Sequence, residues 1–142
     1  MNNTFFILLF TLAGFMSTGQ GKQDKDKQKI IAACDKFMQT FQAGKFSEAI
    51  QMLKQTSVID HSTIDTLDNT VKQQMDNVAE SYGKIIGYEF IKEKTIKDFL
   101  SKRIFILKFS KYYLRFNFIL YNNGSGWTIT SFKYDEDIDE LF

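Results

Sequence analysis

The sequence predicts an α+β fold in which three N-terminal helices pack on one face of a curved, four-stranded antiparallel meander. Two observations lead to this prediction. Between residues 30 and 82, apolar side chains recur at the three- and four-residue spacing of amphipathic helices. Between residues 85 and 134, short runs of β-branched and aromatic residues are separated by turn residues. Helices followed by consecutive strands are typical of α+β domains, in which the helices cover one side of the sheet.

The three helices are delimited by capping and glycine signals. Gly44 follows the first helix at the position of a C-terminal glycine, and Ser47 is expected to cap a short second helix. A third helix is expected to start at a capping box between Ser62 and Asp65 and to end before Gly83. The residues expected to face inward are Ile30, Cys34, Phe37, Phe41, Ala49, Ile50, Leu53, Ile64, Leu67, Val71, Met75, Val78 and Tyr82.

Four strands are expected at residues 85–94, 103–109, 113–121 and 127–134. The third alternates most clearly, because its apolar residues fall at every second position and therefore on one face. Strict alternation in the fourth strand would separate Trp127 and Ile129 from Phe132 and Tyr134. We therefore expect a bulge near Thr130, which would return all four side chains to the same face.

The first residues indicate export. Residues 5–16 form an apolar run of the length used by secretory signals and too short for a membrane span, and Ser17, Thr18 and Gly19 resemble a cleavage site. We therefore expect residues 1–19 to be a signal peptide, residues 20–29 a polar leader and residues 30–142 a single domain, in a periplasmic or extracellular bacterial protein. A retained anchor is the alternative, because no Lys or Arg precedes the apolar run. The single cysteine, Cys34, excludes an internal disulfide.

Composition and motifs exclude several classes of function. The chain has 18 basic and 17 acidic residues, so its net charge does not favour nucleic acid as a partner. It has no phosphate-binding loop, nucleotide fingerprint or clustered His and Cys residues. No metal, cofactor or catalytic residue is therefore predicted. The only histidine, His61, follows Asp60, but neighbouring side chains of an extended link point in opposite directions, and a position beside a helix cap explains both residues.

Three sequence patterns carry a resemblance to a known superfamily. They are Phe-x-x-Gly-Lys-Phe-x-x-Ala at residues 41–49, Tyr-Gly-Lys-Ile at residues 82–85, and Gly-Trp-x-Ile-x-x-Phe-x-Tyr at residues 126–134. With them, residues 29–141 resemble the nuclear-transport-factor-2-like superfamily, whose cystatin-like α+β fold forms a cone with a mouth that can hold a small molecule. The chain is similar to the small exported bacterial domains of that group. The superfamily includes isomerases, cyclases, dehydratases and many non-catalytic proteins, so the resemblance does not name an activity.

Aromatic residues supply the candidate lining of such a hollow. If the cone is open, a small apolar ligand would meet side chains from two helices and three strands. These residues are Phe37, Phe41, Tyr82, Tyr88, Phe116 and Trp127. The alternative is that the same side chains fill the interior, because aromatic residues at these spacings usually form the core.

The outer face of the third strand supplies the candidate interface. Alternation places Arg115 and Asn117 outside, and Glu89 of the first strand is a further polar strand residue, for which a solvated or interface role is expected rather than catalysis. The residues beside Arg115 are more apolar than a wet sheet face requires, and Tyr and Arg together are favoured at protein interfaces. The predicted homodimer contacts are Tyr113, Arg115, Ile119 and Tyr121. Scattered aromatic residues on a monomer are the alternative.

Three functions remain open from the sequence. The preferred one is an exported, non-catalytic domain that binds a small apolar ligand or a protein partner. The second is an isomerase- or cyclase-like enzyme, which requires a deep cavity with an ionisable residue. The third is a purely structural interaction module, for which a large apolar patch on the outer sheet face would be diagnostic.

Overall fold

A computed structural model describes residues 18–142 of the chain, with side chains from residue 21 onward. The predicted signal peptide therefore lies outside the described residues, apart from Thr18 and Gly19, which begin the first helix. Within the described part, no helix combines the length and the apolar character needed to cross a membrane.

The predicted α+β architecture is confirmed: three helices precede an open, four-stranded antiparallel sheet with the strand order β1-β2-β3-β4. The helices are α1 (Thr18–Gln42), α2 (Phe46–Thr56) and α3 (His61–Tyr82). The strands are β1 (Ile85–Ile96), β2 (Leu100–Phe109), β3 (Tyr113–Asn122) and β4 (Trp127–Asp135). A short 3-10 helix, Asp139–Leu141, follows the sheet.

Two of the predicted helix starts are displaced. Asp60, rather than Ser62, caps α3: its carboxylate accepts a hydrogen bond from the Ser62 backbone N–H. Lys45 precedes α2 without a side-chain cap, and the Ser47 hydroxyl instead donates to Asp68 Oδ2 at 2.7 Å. Asp68 of α3 is buried, and its Oδ2 atom accepts hydrogen bonds from Ser47 and from Gln51 of α2.

The predicted end of α3 is confirmed at Gly83. This residue has a φ of 81°, a value in the left-handed region that glycine adopts without strain. A Cβ atom at this position would also come within 2.0 Å of the Ser110 hydroxyl oxygen. The glycine thus ends the helix and lets the chain pass close to the turn between β2 and β3.

The predicted polar leader, residues 20–29, belongs to α1. Its side chains are held by the turn between β3 and β4: Asp26 accepts a hydrogen bond from the Trp127 backbone N–H, and the Lys27 ammonium lies 4.9 Å from the centre of the Trp127 ring. Lys27 also pairs with Glu93 at 3.4 Å. Because these contacts are polar, they leave no apolar periodicity in the sequence, and the predicted helix therefore began at Ile30 rather than before it.

Bulges shape both edges of the sheet. In β4, Ser131 pairs with Ile119 and Ile129 with Leu120, which leaves Thr130 as the extra residue and confirms the predicted bulge. In β1, the register shifts at Ile86 and again at Ile91, so the simple alternation expected for this strand is wrong. Ile85 packs against the core, whereas Ile86 joins the opposite face. The edge of β4 pairs with Ser57 in a parallel bridge, whereas β1 pairs only with β2.

The core lies between the helices and the inner face of the sheet. Phe37 and Phe41 of α1 contact Phe118 and Phe116 of β3 edge to face, with ring centres 5.2 and 5.0 Å apart. Phe132 of β4 lies 4.8 Å from Phe37. Such offset aromatic pairs add to the free energy gained by burying the rings.

We predict that Phe116→Ala lowers the free energy of unfolding by about 3–5 kcal/mol, because a fully buried ring is replaced by a cavity. Ile96→Ala, at an exposed position of β1, should change it by less than about 0.5 kcal/mol. Urea denaturation followed by circular dichroism measures both. Equal effects of the two substitutions would contradict the proposed core.

Candidate functional site

The six candidate lining residues lie in or beside the core. Phe37, Phe41, Phe116 and Trp127 are buried, and Tyr82 and Tyr88 are partly buried against the same cluster. The rings of Tyr82 and Phe109 pack edge to face with their centres 5.4 Å apart, and the ring centres of Tyr88 and Phe105 are 6.2 Å apart. None of the six lines the surface grooves described below. This placement favours core packing, the alternative interpretation of these residues.

A first groove opens where the helices and the sheet diverge. It has a volume of about 520 Å³ and lies between the loop after α1, the end of α3 and the start of β1. We call it the helix–sheet groove. Its apolar floor is formed by Phe46, Met75, Ala79, Ile85 and Phe109, and its charged rim by Asp76, Glu80, Lys84 and Lys111.

The outer face of β3 is covered by the chain itself. Arg115 and Asn117 lie on the side of the sheet away from the helices, as predicted, but only 4% and 1% of their surface is exposed. Arg115 is covered by residues 135–142, which we call the closing segment. Of the solvated or interface role expected for these two side chains, the solvated one is wrong because both are buried, Arg115 by the segment after β4.

Glu140 of the closing segment meets four cationic side chains. One carboxylate oxygen lies 2.5 Å from Arg115 Nη1 and 3.0 Å from Lys102 Nζ, and the other lies 3.3 Å from Lys94 Nζ. Lys92 Nζ donates to the Glu140 backbone carbonyl at 3.0 Å. We call the four residues the cation cluster.

Arg115 is held a second time within the same segment. Its Nε and Nη2 atoms donate to the two carboxylate oxygens of Asp135, both at 2.9 Å, in a bidentate ion pair. Hydrogen bonds from Lys102 and Lys94 hold the pKa of Glu140 below its usual range. Burial raises the pKa of Asp135, but the hydrogen bonds and charge of Arg115 outweigh this effect and the pKa is lowered. Both carboxylates are therefore ionised at neutral pH.

A second groove, of about 390 Å³, lies beside the closing segment. We call it the outer-face groove. It is lined almost entirely by apolar and aromatic side chains from β1, β2, the turn before β3 and the closing segment. The lining residues are Ile86, Ile106, Lys108, Phe109, Tyr112, Tyr113, Ile138, Leu141 and Phe142.

The structure separates the four predicted interface residues. Tyr113 lines the outer-face groove, and Ile119 and Tyr121 lie nearer the other end of β3, partly buried and exposed respectively. Arg115 lies between them under the closing segment. The sequence pattern identified the correct face, but it contained no signal that residues 135–142 would divide it.

A buried ion cluster on the inner face was not predicted. Arg103 is 7% exposed, lies 3.7 Å from a Glu93 carboxylate oxygen and 3.9 Å from one of Asp35, and stacks over the Phe90 ring at 4.3 Å. Beneath it, burial raises the pKa of the Cys34 thiol to about 12. The alternation of β2 is a signal for this placement, because Arg103 lies two residues before Phe105 and therefore on the same face.

The histidine and the metal-binding residue types offer no catalytic centre in the described part. His61 is exposed at the first position of α3, beside the Asp60 cap, as the structural interpretation requires. No three His, Cys, Asp or Glu side chains among residues 18–142 are arranged to hold a metal ion.

Comparisons with known proteins add no relative. No protein-family model, no curated protein and no solved structure matches this chain.

We predict that Cys34 of the folded protein reacts slowly with a thiol reagent. Its raised pKa keeps the thiol protonated at neutral pH, and the side chain is fully buried, whereas the thiolate is the reactive form. Labelling with Ellman's reagent at pH 8 should be complete in concentrated urea and negligible in buffer. Rapid labelling without unfolding would contradict the placement of this residue.

We also predict that the protein loses stability in acid because the carboxylates of the closing segment become protonated. Glu140 and Asp135 have lowered pKa values in the folded state, so their stabilising effect is present above the usual carboxyl pKa of about 4 and is lost as the pH falls through the folded values. Glu140→Gln should therefore flatten the fall in unfolding free energy between about pH 5 and pH 2, whereas the exposed control Glu136→Gln should not. Parallel acid profiles for all three proteins would contradict the role given to Glu140.

Proposed function

We propose that the chain is an exported, non-catalytic binding domain whose partner is a second copy of itself, bound at the outer-face groove. The observation that carries the proposal is the contrast between the two sides of the sheet. The inner side is filled by packed aromatic rings, whereas the outer side presents exposed apolar and aromatic residues around a groove.

The filled interior argues against a hollow that serves a small ligand or a reaction. Phe37, Phe41 and Phe116 are buried and contact one another or their neighbours ring to ring. The isomerase- or cyclase-like alternative needs an ionisable residue at the floor of a deep cavity. The charged residues on the inner face, Arg103 and Glu93, are instead paired with each other beside the rings.

The outer-face groove has the composition of a protein interface. Tyr112 and Tyr113 stack with ring centres 4.6 Å apart, and Ile86 is 65% exposed beside them. Interfaces are enriched in aromatic residues, and a contiguous apolar patch on a monomer often marks a binding site. The strong exposure of Ile86 makes the groove shallow, and a shallow apolar surface suits another protein better than a small molecule, which needs to be enclosed.

Charge and symmetry favour a second copy as the partner. The rim of the groove carries Lys108, which pairs with Glu89 at 2.8 Å, so the rim has no excess of either sign. With 18 basic and 17 acidic residues, two copies do not repel each other through net charge. A two-fold contact would bring the same apolar patch of each copy together. In this arrangement Tyr113 contacts the second copy, whereas Arg115 forms ion pairs within its own chain.

The family and the location remain part of the proposal. The proposed relation to nuclear-transport-factor-2-like domains rests on the three sequence patterns at residues 41–49, 82–85 and 126–134. Export rests on the apolar run at residues 5–16. The alternative function of a purely structural interaction module would use the same apolar surface, the outer-face groove.

The helix–sheet groove favours a second candidate function, the binding of a small apolar ligand. Its volume of about 520 Å³ lies within the range of ligand pockets, and Phe46, Met75 and Phe109 give it an apolar floor. Binding of an apolar fluorescent dye that is lost in Ala79→Trp, which would fill the groove, and kept in Tyr112→Asp would support this candidate. Dye binding unaffected by Ala79→Trp would exclude it.

We predict that sedimentation velocity finds a dimer at concentrations of tens of micromolar, and that Tyr112→Asp and Ile86→Asp weaken association at least about tenfold. The reason is that each substitution places a charge in an apolar contact, at a cost of more than about 1.4 kcal/mol. Both positions are exposed in the single chain, so the variants should fold, and circular dichroism checks this.

The matched control is Val58→Asp. Val58 is 67% exposed, as apolar as Ile86, and lies beside β4 at the opposite edge of the sheet. Its association constant should equal that of the wild type. A monomeric wild type at about 100 µM, or equal weakening by all three substitutions, would overturn the proposal.

A further inference from the structure

We propose that the outer face of the sheet carries a carboxylate-binding site, which Glu140 fills in this structure and from which an acidic segment of another protein can displace it. The site consists of the cation cluster, Lys92, Lys94, Lys102 and Arg115, with Asn117 among them. The inference holds equally for a monomer, because none of the four cations lines the outer-face groove at which the homodimer is proposed.

The cations are placed by the sheet and not by the closing segment. The register pairs Lys94 with Lys102 across β1 and β2, and pairs Lys92 with Ile104, which in turn pairs with Asn117 of β3. Arg115 lies two residues before Asn117 and hence on the same face. Three hydrogen-bonded strands therefore fix the backbone positions of the four cationic residues on one face, independently of the closing segment.

The charges are unbalanced without Glu140. Asp135 already neutralises Arg115 through two hydrogen bonds at 2.9 Å, and Asp137 lies 3.9 Å from the same guanidinium. Lys92, Lys94 and Lys102 then converge on one residue, Glu140, through its carboxylate and its backbone carbonyl. Three ammonium groups around one acidic residue exceed what is needed to hold a short segment on a surface. Such a cluster is suited to a ligand with more than one negative oxygen.

Asn117 gives a second, independent sign of an absent partner. Its side chain is 1% exposed, and neither its amide nitrogen nor its amide oxygen has a hydrogen-bond partner. Buried side-chain amides are normally hydrogen-bonded, because burial without a partner forfeits the bonds made to water. The surrounding residues bury this amide without satisfying it. A ligand that brings a second polar group to the centre of the site would do so.

The closing segment is attached lightly enough to be exchanged. It contains a single turn of 3-10 helix, Asp139–Leu141, and Glu140 remains 28% exposed in its side chain. Its position next to the site in the same chain gives it a high effective concentration, so it can fill the site without being the tightest occupant. A competitor must therefore be present at a comparable concentration or bind more strongly.

The surroundings of the site indicate the chemistry of the competitor. Ile138 and Leu141, which flank Glu140 in sequence, line the outer-face groove, so the apolar surface continues from the cation cluster. A flexible segment of another protein with an acidic residue between apolar residues matches both surfaces, because the acidic residue would bind the cation cluster and the apolar residues would bind the outer-face groove. A free dicarboxylate shares the charge but not the apolar contacts, and the experiment below separates the two sources.

The test measures the binding of a fluorescent peptide with the sequence of residues 135–142 to the full chain by anisotropy. Glu140→Gln removes the charge that fills the site, so this variant should bind the peptide about tenfold more tightly than the wild type. The control Glu136→Gln changes an exposed carboxylate of the same segment and should behave as the wild type does. Adding Lys102→Gln to Glu140→Gln should abolish the gain, whereas adding Lys36→Gln, at an exposed lysine of α1, should preserve it.

Three further arms complete the test. A peptide with Gln in place of its own Glu140 residue should bind the Glu140→Gln chain about tenfold more weakly. Unlabelled glutarate that competes as well as the peptide would identify a free carboxylate as the source, and competition only at far higher concentration identifies a protein segment. Addition of unlabelled peptide to the wild type should speed hydrogen exchange in residues 137–142, a measurement that needs no substitution. Equal peptide affinity of the wild type and Glu140→Gln, with unchanged exchange, would overturn the proposal.

Discussion

The interaction on which the structure depends is the contact between the aromatic face of α1 and the inner face of β3. Phe37 and Phe41 of the helix meet Phe118 and Phe116 of the strand at a spacing that fits both elements. A four-residue step along a helix rises about 6 Å, close to the 6.6–6.8 Å of a two-residue step along a strand. The chain has no disulfide. Helix α1 makes most of the contacts between helices and sheet, α2 packs mainly on α1 and α3, and α3 packs mainly on α2, so this match orients the whole helical layer.

The same contact determines how the two faces of the sheet differ. The helices cover the inner face completely enough for charged groups there, such as Arg103 and Glu93, to be paired with each other under the cover. Among residues 18–142, no helical layer covers the outer face, and residues 135–142 fold back over Arg115 at its middle. Polar and charged side chains of the outer face therefore lie beneath the closing segment, next to apolar side chains that remain exposed.

Local patterns predicted most of the fold. The apolar periodicity around Phe37 and Phe41 and the alternation of β3 are strong because each depends on one burial face. The bulge at Thr130 could be predicted because four large apolar residues in β4 need the same side. The α1 residues before Ile30 were missed because they are held by single polar contacts, such as that of Asp26 with Trp127. The double bulge of β1 was missed because a strand at an edge tolerates either face for Ile86 and Ile91.

The candidate site was harder to predict, for a physical reason. A strand pattern assigns Arg115 to a face but does not say what covers that face. Glu140 reaches Arg115, Lys94 and Lys102 from separate positions in the chain, and no local rule connects them. The aromatic residues expected to line a hollow were correctly placed near the core, yet whether rings leave space or fill it depends on their mutual packing.

The irregular edge of β1 has a consequence for the behaviour of the protein at high concentration. Ile86 and Ile91 interrupt the hydrogen-bonding pattern of β1, so an incoming chain finds only two short regular runs, residues 87–90 and 92–96, separated by a bulge. At the opposite edge, Ile129 of β4 is already paired with Ser57 and accepts a hydrogen bond from the Val58 backbone N–H. Open-ended stacking of sheets into filaments is thereby discouraged at both sides, even though the sheet never closes on itself.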